Sequence, residues 1–186
     1  MKKIAIIGTG GFGREVLEII LAINNIKPCF DIIGFYDDDN KKNNSINGFP
    51  FLGLISEINK IDFELDIALG IGNPIIKKTI IASINNSFIN FPVLIHPNAI
   101  IGENDINIGM GTVICAGSIL TCNIKLEKFV TLNLYCTVGH DTKISEYSSF
   151  MPSVNISGEV VVESQVLVGT GVKIINQIKI GKRSII

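Results

Sequence analysis

Apolar and polar positions follow one pattern up to about residue 88 and another after it. In the first stretch, short apolar runs alternate with segments of helical spacing. Lys3 to Ile7 is a strand-like run that ends in glycines. Val16, Leu17, Ile19, Ile20 and Ile23 then recur as one face of a helix. Ile32 to Tyr36 is a second run, closed by Asp37-Asp38-Asp39, and a polar loop is expected from Asn40 through Asn47. Leu65 to Leu69 is a third strand, ended by Gly70 and Gly72. Asn73-Pro74 opens a helix through about Ile84, with Asn73 as N-cap and Pro74 at the first helical position. Strand, helix, strand, loop, strand, helix predicts a small parallel α/β unit over residues 1–88.

The period then changes. From Ile108 an apolar residue recurs every six positions: Ile114, Leu120, Leu126, Leu132, Val138, Ile144, Phe150, Ile156, Val162, Val168, Ile174, Ile180 and Ile186 follow. At 47% apolar composition, fourteen consecutive hits arise by chance roughly once in 6,000 even over six registers, so the pattern is a repeat. Four residues after each hit stands a small or β-branched residue, as at Thr112, Ser118, Val130, Cys136, Thr142 and Ser148. Neither helix nor ordinary strand periodicity produces this spacing.

A hexad is one short strand and a corner, and three hexads make one triangular turn of a parallel β-helix over residues 89–186. The six-spaced aliphatics stack inside the prism, and the small residue fits beside the corner. Backbone groups pair with the coils above and below. The register slips by one residue between Ile101 and Ile108, so a first coil beginning near Ile95 carries an insertion, and about five coils are expected. The repeat runs up to Ile186, and an open coil end is an unpaired edge that needs cover. Either the chain is a truncated form, or another subunit covers that end.

Charge narrows the partners. Sixteen Lys and Arg against seventeen Asp and Glu leave no cationic excess for a phosphate backbone, so nucleic acid is not expected. No apolar run reaches the ~18–20 residues needed to cross a bilayer. Met1-Lys2-Lys3 and the apolar residues after them look faintly like a signal peptide. Glycines at 8, 10, 11 and 13 interrupt the run, so a buried strand and a cytoplasmic address are expected. Cys29, Cys115, Cys122 and Cys136 contain no C-x-x-C pair and suit neither zinc nor a disulfide framework. They are expected to be small buried hydrophobes, and no metal site is expected.

Two motifs carry candidate chemistry. Gly8-Thr9-Gly10-Gly11-Phe12-Gly13 fits G-x-G-x-x-G between a strand and a helix, where glycines let phosphate approach a helix N-terminus. Asp37 ends the next strand, where an acid can bind ribose hydroxyls. Alone, this suggests a Rossmann-like dinucleotide site. The unit is too short for a second mononucleotide half, so a nucleotide-sugar site explains the glycines better. Asp37 and Asp38 have a solvated turn as the competing reading. Gly72 and Asn73, with Lys77 and Lys78, offer another wall of that site or simply a capped, exposed helix. The second motif is Gly139-His140-Asp141 at a hexad corner. An unperturbed imidazole titrates near pH 6.5 and suits a general base, and Asp141 can hold its tautomer. His96, before Pro97, reads as a packed or capping residue, and Cys136 as core.

The hexads resemble those of left-handed β-helix acyltransferases. Read together, Ile6 through Val16, Ile33 through Asp38, Phe91 through Pro97 and Val138 through Asp141 resemble one family in order. It comprises bacterial sugar acetyltransferases of the sialic acid O-acetyltransferase and bacillosamine-precursor N-acetyltransferase type. The resemblance spans essentially the whole chain. It implies an α/β Rossmann-like domain followed by an all-β left-handed parallel β-helix, working as a homotrimer with acetyl-CoA lying between subunits. It implies His140 as general base with Asp141 beside it. Asn133, seven residues earlier, would touch the sugar. Gly158, eighteen residues after His140, would offer its amide to the acetyl carbonyl. Ser149, Gly169 and Gly171 complete the implied cofactor-binding set. Gly8, Gly10, Gly11, Gly13, Asp37, Asp38, Gly72 and Asn73 complete the substrate-binding set. Many relatives carry a second histidine nine residues after the base. Here Ser149 stands there, able to donate a hydrogen bond but not to act as a base at neutral pH.

The resulting expectation is an acetyl-CoA-dependent N-acetyltransferase of a nucleotide-linked 4-amino-4,6-dideoxy sugar, serving surface polysaccharide or glycan synthesis. Acylation of a sugar hydroxyl, as on sialic acid, is the first rival, because the residues do not separate amine from hydroxyl. A non-catalytic nucleotide-sugar-binding scaffold is the second. A purely structural repeat protein is the third, opposed by the glycine loop and Gly139-His140-Asp141.

Overall fold

The computed structural model describes residues 1–39 and 45–186, so residues 40–44 of the expected polar loop lie outside the described residues. The chain forms two compact units, residues 1–72 with 76–92, and residues 73–75 with 93–186.

The first unit is a six-stranded sheet with helices. In chain order it contains β1 (Lys2–Ile7), α1 (Gly11–Ile26), β2 (Phe30–Tyr36), β3 (Ser45–Ile46), β4 (Phe49–Gly53), β5 (Leu65–Leu69), α2 (Pro74–Ser83) and β6 (Ile89–Asn90). The spatial order is β3-β4-β2-β1-β5-β6, all parallel except the β3–β4 pair. Ile4 to Ile7 and Leu65 to Leu69 are buried throughout, which is why these central strands read as apolar runs, broken only by the buried Asp66. Helix α1 buries Val16, Leu17, Ile19 and Ile20 and turns Arg14, Glu15 and Glu18 to solvent.

The β3–β4 hairpin departs from the sequence expectation. Ser45 and Ile46 are strand rather than loop, and Asn47-Gly48 is a two-residue turn with φ of 47° and 85°. Both central residues at positive φ suit a turn whose twist matches the strands it joins. The Asn-Gly pair was the available signal. The apolar flank before it is only one residue long, which hid the strand.

Three glycines set the approach of α1 to the sheet. A Cβ on Gly13 would lie 1.8 Å from the Gly8 carbonyl oxygen, and one on Gly70 would lie 2.5 Å from the Gly13 Cα. The helix therefore starts directly against the ends of β1 and β5, the strands at which the sheet order reverses.

The second unit is a left-handed parallel β-helix of three five-stranded sheets. Its first face stacks Leu94–Ile95, Val113–Ile114, Thr131–Leu132, Ser149–Phe150 and Leu167–Val168. The second face stacks Ile100–Ile101, Ile119–Leu120, Thr137–Val138, Asn155–Ile156 and Lys173–Ile174. The third stacks Ile106–Ile108, Ile124–Leu126, Lys143–Ile144, Val161–Val162 and Lys179–Ile180. Five strands per face make five coils, and the six-spaced residues from Ile114 to Ile180 form one buried cluster inside them, with Ile108 packed against it and Ile186 exposed.

The corners add a detail that the hexad count lacks. The residue three after each inward aliphatic takes left-handed backbone, as at Asn123, Phe129, Tyr135, Asp141, Tyr147, Ser153, Glu159 and Gln165, with φ of 53–63°. The next residue turns inward and is buried, which is why it is small or β-branched. Where it is polar, its hydroxyl is used: Thr142 donates to the Ser157 carbonyl at 3.2 Å and Ser118 to that of Asn133 at 3.0 Å. Left-handed backbone at non-glycine residues costs roughly 1–2 kcal/mol each, offset by the coil-to-coil bonds that each corner registers. No helix among the described residues is long and apolar enough to cross a membrane.

Candidate active site

His140 and Asp141 stand at the corner after Thr137–Val138, on the edge between the second and third faces. The left-handed φ of 59° at Asp141 turns the chain so that its carboxylate meets the preceding ring. His140 Nδ1 lies 2.7 Å from Asp141 Oδ2. Asn123, one coil earlier, donates its amide to Asp141 Oδ1 at 3.0 Å. These bonds, from His140 first and Asn123 second, hold the Asp141 carboxyl below the usual carboxylate range. An ionised carboxylate only accepts, so Nδ1 carries a proton, and in the neutral ring Nε2 is the nitrogen with the lone pair. Both side chains are about half exposed, which leaves that lone pair open to a ligand.

Gly158 is the floor beneath the ring. A Cβ built there would lie 2.5 Å from His140 Nε2, 2.6 Å from Cε1 and 2.9 Å from Cδ2. The imidazole therefore lies against bare backbone one coil on, where any side chain would displace it. Eighteen-residue stacking brings His140, Asp141, Asn123 and Gly158 together. Asn123 was missed in the sequence because its link to Asp141 spans a whole coil.

The other expected residues of this unit lie elsewhere. Asn133 is on the edge between the first and second faces, where it is buried and its Oδ1 accepts the Leu134 amide at 2.7 Å. Gly169 and Gly171 stand on that same edge, two coils further. Gly171 has φ of 78° and open space at its Cβ, while Gly169 is backed by the Ile186 carbonyl. Ser149 sits on the first face, fully buried, with no partner for its hydroxyl among the described residues. Within one chain it is not beside His140. His96 Nδ1 accepts the Asn98 amide at 3.0 Å, as a capping histidine does.

In the first unit, the glycine loop divides into two kinds. Gly8 and Gly13 are packed against backbone, whereas Gly10 and Gly11 meet nothing within 4 Å. Gly10 is the N-cap of α1, with no side-chain cap and no acid in the first turn. The positive end of a sixteen-residue helix is thus bare, as anion binding requires. Asp37 is drawn into the loop itself: its Oδ2 accepts from the Thr9 amide at 2.7 Å and the Thr9 hydroxyl at 2.6 Å. Asp38 accepts the Ile55 amide at 3.0 Å. Both carboxylates hold backbone, which a pure solvated turn would not require. Asn73 Oδ1 accepts the Ile75 amide at 2.9 Å and caps α2, and Gly72 precedes it half-buried.

Two expectations need correction. Lys77 is not an open wall, because it is 1% exposed and burial lowers its ammonium pKa to about 7. Of the cysteines, only Cys115 and Cys136 are buried, while Cys29 and Cys122 are half-buried. Burial pushes the Cys136 thiol up to about 11, which removes it as a nucleophile. Among the described residues, no three His, Cys, Asp or Glu side chains gather as metal ligands.

The chain is similar to known proteins in sequence and in fold. Residues 3–84 match the PglD N-terminal domain family. The chain is 26% identical over 171 residues to a GDP-perosamine N-acetyltransferase of Escherichia coli O157:H7, covering 92% of this chain and 77% of the relative. Its fold matches WeeI from Acinetobacter baumannii AYE with a TM-score of 0.86 and 27% identity, covering 100% of this chain and 88% of that one. It matches the acetyltransferase domain of PglB from Neisseria gonorrhoeae FA1090, solved with acetyl coenzyme A, with a TM-score of 0.77 and 27% identity. That match covers 96% and 95% of the two chains.

Proposed function

We propose that the chain is a hexapeptide-repeat sugar acetyltransferase that transfers the acetyl group of acetyl-CoA to the amine of a nucleotide-linked 4-amino-4,6-dideoxy sugar. The observation that carries the reading is the His140 ring, held by Asp141 at Nδ1 and laid over Gly158. Acetyl-CoA supplies an activated acyl group. The chain's part is to place and deprotonate the acceptor. His140 Nε2 takes the proton from the attacking amine as the C–N bond forms, and the Asp141 carboxylate stabilises the imidazolium that results. As the C–S bond breaks, CoA leaves as its thiolate and takes that proton. The Gly158 amide donates to the acetyl carbonyl oxygen. Gly169 and Gly171 remain the proposed further contacts of the cofactor, whereas Ser149, expected among them, is fully buried and out of a ligand's reach. The bare N-terminus of α1 at Gly10 and Gly11 holds the diphosphate of the sugar nucleotide, with Gly8 and Gly13 giving the backbone access. Asp37 and Asp38 shape that loop, and Gly72 and Asn73 complete the proposed substrate set.

Asn133 completes the proposed sugar contacts, but it stands across a full face from His140 in one prism. Two copies, not one, would present both residues to a single sugar, and this supports a homotrimer. Apolar side chains exposed on and beside the second face, Ile100 at 61% and Tyr135 at 66%, support it further. Light scattering is expected to give about three times the 20.2 kDa chain mass. A monomer at micromolar concentration would remove the assembly.

The direct test is thiol release from acetyl-CoA with UDP-, dTDP- and GDP-linked 4-amino-4,6-dideoxy sugars beside free sialic acid. Turnover is expected on an amino sugar. Turnover on sialic acid alone would move the assignment to O-acetylation. Acetyl-CoA binding with no turnover on any acceptor would refute the proposed substrate class.

A further inference from the structure

The second face carries an outward ladder of three polar side chains, Thr137, Asn155 and Lys173, stacked in register at eighteen-residue intervals. Their neighbours Val138, Ile156 and Ile174 point into the prism, so these three point out. In the first two coils the same column is Ile100 and Ile119, so its chemistry changes at the coil that bears His140. Lys173 Nζ donates to Asn155 Oδ1 and, at 3.0 Å, to the Ser153 carbonyl. Asn155 Nδ2 donates to Thr137 Oγ1 at 2.9 Å.

The donor inventory gives this ladder one direction. An ammonium has donors and no acceptor, so it requires the oxygen end of Asn155. The amide nitrogen then faces Thr137, whose oxygen must accept. The Thr137 hydroxyl proton is left for a group outside the ladder, on the open side of the face. Successive bonds polarise one another in the same sense, which makes that hydroxyl a better donor. Thr137 lies three residues before His140 along the same coil, a span of about 10 Å. An amine and the oxygen on the next ring carbon lie about 3 Å apart, so with a hydrogen bond of about 2.9 Å at each end they bridge side-chain atoms up to about 9 Å apart.

We propose that Thr137 donates a hydrogen bond to the sugar oxygen next to the acceptor amine, with Asn155 and Lys173 as positioning residues that fix it as a donor. This rests on His140 acting on a sugar amine and names the group that orients that sugar. It also gives the face a preference for an acceptor with an oxygen, rather than a methyl or hydrogen, beside the amine.

The experiment is steady-state kinetics of Thr137→Val, Thr137→Ser and Lys173→Met on the nucleotide amino sugar, repeated with the acceptor deoxygenated next to the amine. Thr137→Val is expected to lower kcat/KM for the sugar about tenfold, the worth of one hydrogen bond, with KM for acetyl-CoA unchanged. Thr137→Ser is expected to recover the activity. Lys173→Met, which frees Asn155 to flip, is expected to lose about threefold. On the deoxygenated acceptor, wild type and Thr137→Val are expected to be equal. Equal kcat/KM for wild type and Thr137→Val on the full acceptor would overturn the proposal while leaving the acetyltransferase reading intact. A tenfold loss that persists on the deoxygenated acceptor would overturn it too, as a structural effect. A wild-type chain that neither binds nor acetylates any amino sugar would refute the underlying reading and this proposal together.

Discussion

His140→Ala is expected to lower kcat/KM for the amino sugar by about a thousandfold, within the range that a positioned general base contributes. The loss should fall on kcat, because the ring acts on a proton that moves only in the reaction. Folding should be unaffected. The side chain is 56% exposed and its hydrogen bond runs to an exposed carboxylate, so its removal leaves no cavity and no buried orphan. Thiol-release kinetics beside thermal melts of both proteins read the two quantities separately. A loss of less than about tenfold, with the melts superimposed, would mean that the amine reaches the thioester already deprotonated and that His140 is not the base.

Gly158→Ala is expected to cost about a hundredfold in kcat, a large effect for one methyl group. That methyl would stand 2.5–2.9 Å from three atoms of the His140 ring. The ring is on the surface, so it swings aside rather than straining the coil, and stability should change little. The price is the base: an Nε2 displaced by an ångström no longer meets the amine along its line of attack. In the Gly158→Ala, His140→Ala double variant, the two losses should not add, because the glycine acts largely through the ring. Full additivity would mean that Gly158 acts independently, through its amide alone. Unchanged kcat in the single variant would detach Gly158 from the site.

Much of the architecture was legible because it is periodic. A coil that repeats every eighteen residues must bury an aliphatic every six, and the run from Ile108 to Ile186 records this without reference to any distant contact. Leu65 to Leu69 was legible for a related reason, since a strand buried on both faces carries no polar residue except Asp66. The Asn47-Gly48 hairpin carried a local signal that was overlooked, because only Ile46 marks the strand before it. The left-handed corners carried only a partial one, with Gly111, Gly117, Asn123 and Asp141 at some of them. Phe129, Tyr135 and Tyr147 adopt backbone that bulky residues avoid, and the stacking of coils imposes it. The 5.3 Å stack of the Phe129 and Tyr147 rings shows what that register brings together.

The candidate site divides in the same way. His140 and Asp141 are adjacent in the chain, and a histidine next to an acid at a hexad corner is readable as a base and its partner. The N-cap role of Asn73 and the phosphate-type glycine loop are local too. Asn123 on Asp141, Gly158 beneath the imidazole and the Thr137–Asn155–Lys173 ladder each join residues one coil apart. Asp37 on Thr9 crosses from one strand end to the next. The burial of Lys77, which shifts its titration to about 7, follows from packing that a lone Lys-Lys pair does not announce. By itself, then, the sequence determined the prism and the α/β unit before it, and it singled out the His140-Asp141 pair proposed as the base and its partner, because hydrophobic period and nearest-neighbour chemistry are written in consecutive residues. Only the tertiary structure decided which side chains share an edge with that base, because coil stacking sets residues eighteen apart in contact and places residues seven apart on different edges.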